Sequence, residues 1–257
     1  MGTWCKSGLR WHAGIVIGLI MSSIAGSSPG SPPDGRRAER RAMVEDVRRD
    51  VARNDDVVGP QLSAAVDEAM LVVPRHWFVP AELQAFAYEN RALPIGLGQT
   101  ISQPTIVAMM TDLLEVAPSD TVLEVGTGSG YQAAILATVL PQGYVHTIEI
   151  VTELATMARR RLADLEFDNV TVHTGDGYQG LPDEAPFAGI MVTAAAERIP
   201  QPLIDQLKPG GRLVMPLGPD GDTQWLTVLE KLPDGVLTKR VVLPVRFVPM
   251  TGEVDRR

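Results

Sequence analysis

The sequence predicts an α/β fold: a doubly wound, mainly parallel sheet with helices on both faces and an antiparallel strand pair at the carboxyl end. Short apolar runs alternate with segments of helical periodicity from residue 122 onward, the pattern of repeated strand–helix–strand units. Glycines occupy every second position, Gly126, Gly128 and Gly130, directly after the run Val122-Leu123-Glu124-Val125. A glycine turn at a strand-to-helix junction lets backbone approach a ligand closely, because no Cβ intervenes. Later predicted strands end in Glu149 and in Gly175-Asp176-Gly177, at the edge of an open sheet where ligands bind.

In chain order, Met43-Val44-Glu45-Asp46-Val47 opens an amphipathic helix. A helix over 105–116 follows Pro104, with Ile106, Met109, Met110 and Leu113 on its apolar face; the two methionines are core filling at helical spacing. After the strand and glycine turn, residues 131–140 read as a helix and 144–149 as a strand. Residues 153–165 are helical through Leu154, Met157, Ala158, Arg161, Leu162 and Leu165, and 170–174 form the third strand. A strand at 188–192, a helix at 202–207, a Pro209-Gly210-Gly211 turn and a strand at 212–215 follow. The runs 225–230 and 241–248, split by Pro233-Asp234-Gly235, suggest the antiparallel pair.

The dinucleotide fingerprint is G-x-G-x-x-G. Here Tyr131 stands where its last glycine would be, so another ligand loop is indicated. Glu149 lies 19 residues after Gly130, where such sheets place a carboxylate on a ribose hydroxyl pair; a solvated charge or a helix cap is the alternative. Asp176, between glycines, suits an adenine amino group or a simple turn. The spacing of Gly126, Gly128 and Gly130 resembles the loop that S-adenosylmethionine-dependent methyltransferases wrap around the amino-acid end of their cofactor.

Further segments narrow the resemblance. They are Val73-Pro74-Arg75-His76-Trp77-Phe78-Val79-Pro80, the stretch Ala92 through Pro104 with Gly98-Gln99-Thr100-Ile101-Ser102-Gln103-Pro104 at its end, Gly175-Asp176-Gly177, and Arg246-Phe247-Val248-Pro249. Together with the glycine loop they resemble the protein-L-isoaspartate O-methyltransferase family over residues 43–252. The resemblance implies a class I methyltransferase fold and a repair activity: methylation of the free α-carboxylate of L-isoaspartyl residues in damaged proteins and peptides. It implies that S-adenosyl-L-methionine is held by Gly126, Thr127, Gly128, Ser129, Gly130, Glu149, Asp176 and Gly177. Ser102 is then the active-site serine, and Thr100, Ile101, Val248 and Thr251 meet the substrate.

The chemistry agrees. A carboxylate nucleophile is ionised near neutral pH, so no strong base is needed and alignment carries catalysis. The helix start after Ser102 adds backbone donors and a positive dipole end for an anion; the alternative is that Ser102 only caps that helix. No metal is expected: His12, His76, His146 and His173 are scattered, without an i, i+4 pair, and His146 and His173 read as packing residues within strands. Two other functions stay open, a small-molecule methyltransferase of the same fold and a non-catalytic protein that keeps the cofactor fold and is tethered at a membrane.

The chain has 257 residues and net charge −8, enough for one sizeable domain. Residues 1–42 carry six basic and two acidic groups, so the remainder carries −12, which argues against a nucleic-acid partner; Arg159-Arg160-Arg161 is read as a solvated face. The single cysteine, Cys5, excludes an internal disulfide. Lys6 and Arg10 precede an apolar stretch at 13–24 and a small-residue stretch, Ser23-Ile24-Ala25, the layout of a secretory signal. A Pro/Gly/Ser linker follows at 27–35. Residues 1–42 are therefore expected to form a signal-like or tether segment outside a catalytic domain of 43–257. The location expected is cytoplasmic, where the methyl donor is made, with export or membrane tethering as the alternative.

Overall fold

The protein is described at Met1 and residues 35–252 of a computed structural model. Three helices come first, α1 (Arg37–Arg53), α2 (Asp55–Val58) and α3 (Ala64–Val72), then 3-10 turns at Arg75–Phe78 and Ala81–Phe86. A hairpin of β1 (Leu93–Gly96) and β2 (Gln99–Ile101) leads into α4 (Pro104–Leu113). The alternating part runs β3 (Thr121–Val125), α5 (Tyr131–Val139), β4 (Tyr144–Glu149), α6 (Thr152–Asp164), β5 (Val170–Thr174) and β6 (Phe187–Val192). It ends with α7 (Gln201–Asp205), β7 (Leu207–Leu217), β8 (Gln224–Lys231) and β9 (Leu237–Val245).

The seven-stranded sheet has the order β5-β4-β3-β6-β7-β8-β9. Its first five strands in that order are parallel; β8 and β9 join antiparallel. The chain starts in the middle at β3, winds outward through β4 and β5, then crosses to β6 and β7. The order reverses beside β3, and a ligand crevice opens at the carboxyl ends of strands at that point. β6 is buried at every position, as a strand covered on both faces must be. Helix α5 is buried nearly all round, with Tyr131, Ala133, Ala134, Ile135 and Leu136 at most 1% exposed. It is sandwiched between the sheet and the amino-terminal helices.

Several boundaries differ from the sequence expectation; α4, for one, ends at Leu113 rather than at residue 116, and Glu115 just beyond it takes left-handed backbone. The first helix opens at Arg37, six residues before Met43. Arg40 is buried and donates to the Leu71 carbonyl and the Tyr88 hydroxyl, so tertiary contacts extend the helix backwards from the stripe Met43, Val44, Val47, Val51. Pro209-Gly210-Gly211 is no turn between elements but a bulge within β7: Phe187 pairs with Leu207, yet Gly189 pairs with Arg212. A Cβ on Gly211 would lie 2.7 Å from the Ala188 carbonyl oxygen, so only glycine lets the bulged backbone pass. Because Leu207 already belongs to β7, α7 ends at Asp205. Strand β9 covers 237–245 rather than 241–248, leaving 246–250 free to cross the sheet end.

The histidines are not scattered in space. The register of β4 on β5 brings His146 Nδ1 to 3.1 Å from His173 Nε2. The expected linker, except Gly35, and the signal-like stretch with Cys5 and His12 lie outside the described residues. No helix among the described residues is long and apolar enough to cross a membrane.

Candidate active site

The glycine turn after β3 takes left-handed backbone at all three glycines, with φ of +98°, +51° and +87° at Gly126, Gly128 and Gly130. The loop is stapled to the next strand end by Glu149. One carboxylate oxygen accepts from the Gly128 N–H at 2.8 Å, and the other from the Val151 N–H at 3.0 Å. Glu149, Gly126 and Gly128 line one cleft with Ile150, Gly177 and Thr193. Each carboxylate oxygen keeps a second lone pair, so Glu149 can hold the loop and still accept from hydroxyls of a ligand. A Cβ at Gly126 would lie 2.4 Å from Thr193 Oγ1, and one at Gly177 would lie 2.3 Å from Val125 Cγ1. Both glycines are required by close approach of β3, β5 and β6. At Gly128 a Cβ would meet Ile95 only at an ordinary 3.5 Å; there the left-handed backbone is the constraint.

Behind the turn lies a second, inner cavity lined by Ser102, Glu124, Thr127, Ser129 and Gln132. Glu124 is fully buried. The Thr147 hydroxyl donates to its Oε2 at 2.5 Å, and Thr127 Oγ1 stands 2.7 Å from Thr147 Oγ1. With the Thr147 proton directed at Glu124, Thr127 donates to Thr147. Burial pushes the Glu124 carboxyl up to about 8; the charge of Glu149 adds to the rise and the Thr147 hydrogen bond opposes it. Its Oε1 has no hydrogen-bond partner among the described residues. An orphaned buried carboxylate oxygen beside a glycine cradle fits a ligand that brings positive charge or a donor. The residues present therefore fit S-adenosyl-L-methionine.

Outside this cavity a groove of about 410 Å³ is lined by Ser102, Gln103, Ile106, Thr223, Arg246 and Phe247. Ser102 lies on the walls of both the groove and the inner cavity, whereas Thr100 and Thr193 border these two and the cleft. Ser102 does not cap α4: the N-cap position is Gln103, and no side chain caps it. The expected backbone donors of α4 are partly spent. Pro104 has no N–H, and the Thr105 N–H is held by Asn90 Oδ1 at 3.1 Å.

The remaining sequence-predicted residues divide. Thr127 and Ser129 line the inner cavity, and the Ser129 hydroxyl accepts from the Tyr131 N–H at 3.3 Å. Gly130 lines none of these cavities; it begins α5 against Leu162 and Ala158. Asp176 is also outside the lining, its Oδ1 accepting from the Tyr178 N–H at 2.9 Å in a tight turn, while Gly177 does reach the cleft. Ile101 is buried and borders the inner cavity. Val248 borders cleft and groove, and Thr251 the cleft alone. The segment 248–250 is tied to Ala195 by two backbone hydrogen bonds of 2.8 and 2.7 Å.

Sequence reasoning missed Thr193, Glu124 and Arg246 as site residues. Thr193 follows the end of β6 and its hydroxyl lies 2.7 Å from the Gly126 carbonyl; the rule that ligands gather at strand carboxyl ends points to it. Glu124 was visible as an acid inside an apolar run, the mark of a buried carboxylate. Arg75, in the Val73–Pro80 motif, is structural: it is fully buried, donates to the Ala87 and Arg91 carbonyls, and stacks on Tyr131 at 4.9 Å. Burial lowers its pKa to about 10, with Tyr131 opposing.

This site can be set beside known proteins. The family model described as protein-L-isoaspartate(D-aspartate) O-methyltransferase (PCMT) matches residues 48–255. The chain is 56% identical over 216 residues to protein-L-isoaspartate O-methyltransferase 2 of Syntrophobacter fumaroxidans, covering 84% of this chain and 87% of the relative. To the protein of the same name from Nitrosococcus oceani it is 52% identical, over 83% of this chain and 96% of the relative. A solved protein-L-isoaspartate O-methyltransferase superposes with TM-score 0.74 at 27% identity, over 83% of this chain and 66% of that one. A Plasmodium falciparum protein solved with S-adenosyl-L-homocysteine shares the fold, with TM-score 0.68 at 24% identity over 82% of this chain and 98% of its own. The glycine turn, the Ser102 segment and the crossing 246–250 segment thus occur together in a chain that matches the family model over residues 48–255, and the chain belongs to the protein-L-isoaspartate(D-aspartate) O-methyltransferase family.

Proposed function

We infer that this protein is a repair methyltransferase that esterifies the free α-carboxylate of L-isoaspartyl residues in damaged proteins and peptides, with S-adenosyl-L-methionine as methyl donor. The observation that carries this reading is the position of Ser102 on the wall shared by the inner cavity and the outer groove. When bound, the cofactor supplies an electrophilic methyl group on a positively charged sulfur. Glu149 accepts from the ribose hydroxyls, and the free Oε1 of Glu124 meets the charged amino-acid end. Gly126, Thr127, Gly128 and Ser129 shape that end of the site, and Gly177 lets the adenine side approach the sheet. Asp176 and Gly130 act through the turns they form.

The substrate side is assigned to the groove. A carboxylate needs no general base; it needs to be held in line. The Ser102 hydroxyl orients it, Thr100, Ile101 and Val248 wall it in, and Arg246 supplies attraction for an anion. Thr251, at the cleft, belongs with the cofactor side. An open groove flanked by the β9 end suits a peptide segment, so the substrates are exposed stretches of damaged polypeptide and not nucleic acid. We assign the activity to the cytoplasm, where the donor is made, and the catalytic part to the chain after the linker.

The test is incubation of the purified protein with labelled S-adenosyl-L-methionine and paired peptides that differ only in an isoaspartyl or aspartyl linkage. Label should enter the isoaspartyl peptide alone, in a base-labile ester. Equal labelling of both, or of neither, overturns the reading.

A further inference from the structure

We propose that His146, His173 and Glu184 form a binding site for one divalent transition-metal ion, with zinc the best fit. His146 is on β4 and His173 on β5, 27 positions apart in sequence. Parallel register pairs His146 with Thr171 and Ile148 with His173. The two imidazoles therefore stand on one face of the sheet, two residues apart along it. Their facing nitrogens, His146 Nδ1 and His173 Nε2, are 3.1 Å apart. Two ligands on a tetrahedral zinc at 2.0–2.1 Å lie about 3.3 Å from each other, so the imidazoles are already at the spacing of a shared ion.

The third ligand comes from the crossover between β5 and β6. Glu184 ends the 3-10 turn Pro182–Glu184, and its Oε2 is 3.8 Å from His146 Nε2, the ring nitrogen that does not face His173. One ligand atom from each of the three residues lies within 4.8 Å of the others. Glu184 is exposed and on a short turn, so its side chain has room to swing toward the nitrogens that face each other, as binding one ion requires. Three protein ligands of this type leave one position to water. Tyr144 and Phe187 wall the pair, with ring centroids 5.1 and 6.0 Å from that of His146, which limits competition from solvent.

Protonation and charge are compatible. Burial favours the neutral form of both histidines, with the charge of Glu184 opposing. Arg159, which donates to the Val172 carbonyl at 2.8 Å, is the cation that faces His173; Glu184 offsets it. None of the three ligands lines the cofactor cleft, the inner cavity or the groove. The ion would not take part in methyl transfer. It would tie the far end of the crossover, whose first residues are Gly175-Asp176-Gly177, back to β4 and β5, stiffening one wall of the cofactor cleft.

The competing arrangement for the same atoms is a metal-free hydrogen-bond chain, Glu184–His146–His173. Calorimetric titration of full-length, tag-free, chelator-stripped protein with zinc distinguishes the two, with cobalt absorption as a second readout of geometry. The wild type should take up one equivalent of zinc through this site, and its visible cobalt bands should have the intensity of a four-coordinate site. Saturation at a hundredfold excess over Kd should raise Tm by about 5–10 °C. Glu184→Gln, on an exposed turn, should weaken binding tenfold or more while its unloaded Tm and its activity on an isoaspartyl peptide stay at wild-type values. His146→Gln with His173→Gln should abolish the equivalent. The proposal fails if the wild type takes up no zinc, or if Glu184→Gln and the double variant bind it as tightly as the wild type; uptake by other groups, such as Cys5 or His12, would give that second pattern.

Discussion

Replacing Glu124 by glutamine tests the electrostatics of the inner cavity most directly. The substitution keeps shape and removes charge. Burial raises the Glu124 carboxyl from an ordinary 4.5 to about 8, and each pKa unit corresponds to about 1.4 kcal/mol. A carboxyl whose folded pKa lies above its unfolded value binds its proton more tightly in the native state. Its contribution to stability is fully present below about pH 4.5 and is lost as pH rises toward 8. Between pH 5 and 7.5 the wild type should thus lose about 3 kcal/mol of unfolding free energy relative to Glu124→Gln. Urea unfolding of both proteins across that range measures the difference directly, with the slope against urea unchanged. The same group links cofactor binding to pH. Positive charge placed against Oε1 favours the carboxylate, so S-adenosyl-L-methionine binding at pH 7 should release close to one proton in the wild type and none in Glu124→Gln. Calorimetry in buffers of different ionisation enthalpy reads that proton. Parallel pH profiles for the two proteins, or equal proton release, would refute the assignment of Glu124 as a neutral buried acid that ionises against the ligand.

Ser102→Ala should lower turnover by about ten- to a thousandfold with little change in cofactor affinity, since alignment rather than proton removal is lost; full activity on an isoaspartyl peptide would remove Ser102 from the site. Glu149→Ala leaves the Gly128 and Val151 N–H groups without their acceptor and should weaken cofactor binding by about 1–3 kcal/mol, measured by calorimetry; unchanged affinity counts against the cleft as the cofactor site. A chain starting at Gly35 should be as active and as stable as the full chain. One starting at Met43 removes the buried Arg40 with its bonds to Leu71 and Tyr88 and should lose about 1–3 kcal/mol; equal melting of the two shortened chains would show that these contacts contribute nothing. Arg246→Ala should raise KM for isoaspartyl peptides and flatten its salt dependence while leaving cofactor affinity unchanged. An unaltered KM would exclude Arg246 from the groove's function.

Local pattern carried most of the architecture. Apolar runs flanked by turn residues specify β6 and most of β3, because a strand covered on both faces is mostly apolar. The Gly126–Gly130 spacing specifies the turn, because left-handed backbone selects glycine. Glu149 and Ser102 were legible for the same kind of reason: each sits at the end of a recognisable element, where the carboxyl-end rule or a family motif points. Thr193 was missed although it obeys that rule, since nothing in Val192-Thr193-Ala194 marks the hydroxyl as facing the glycine turn.

What the sequence determined by itself was therefore the order of strands and helices, the glycine loop and the acid that closes it, each set by short-range conformational preference. Only the tertiary structure decided which side chains meet across the sheet. Pairing register placed His146 against His173, burial between two layers raised the Glu124 pKa, and a bulge of three extra residues in β7 absorbed what read as a turn at 209–211. Long-range packing also drew the first helix back to Arg37, through the bonds of Arg40 to Leu71 and Tyr88. These outcomes depend on distances between segments remote in the chain, and a pattern that repeats every two or every 3.6 residues holds no record of them.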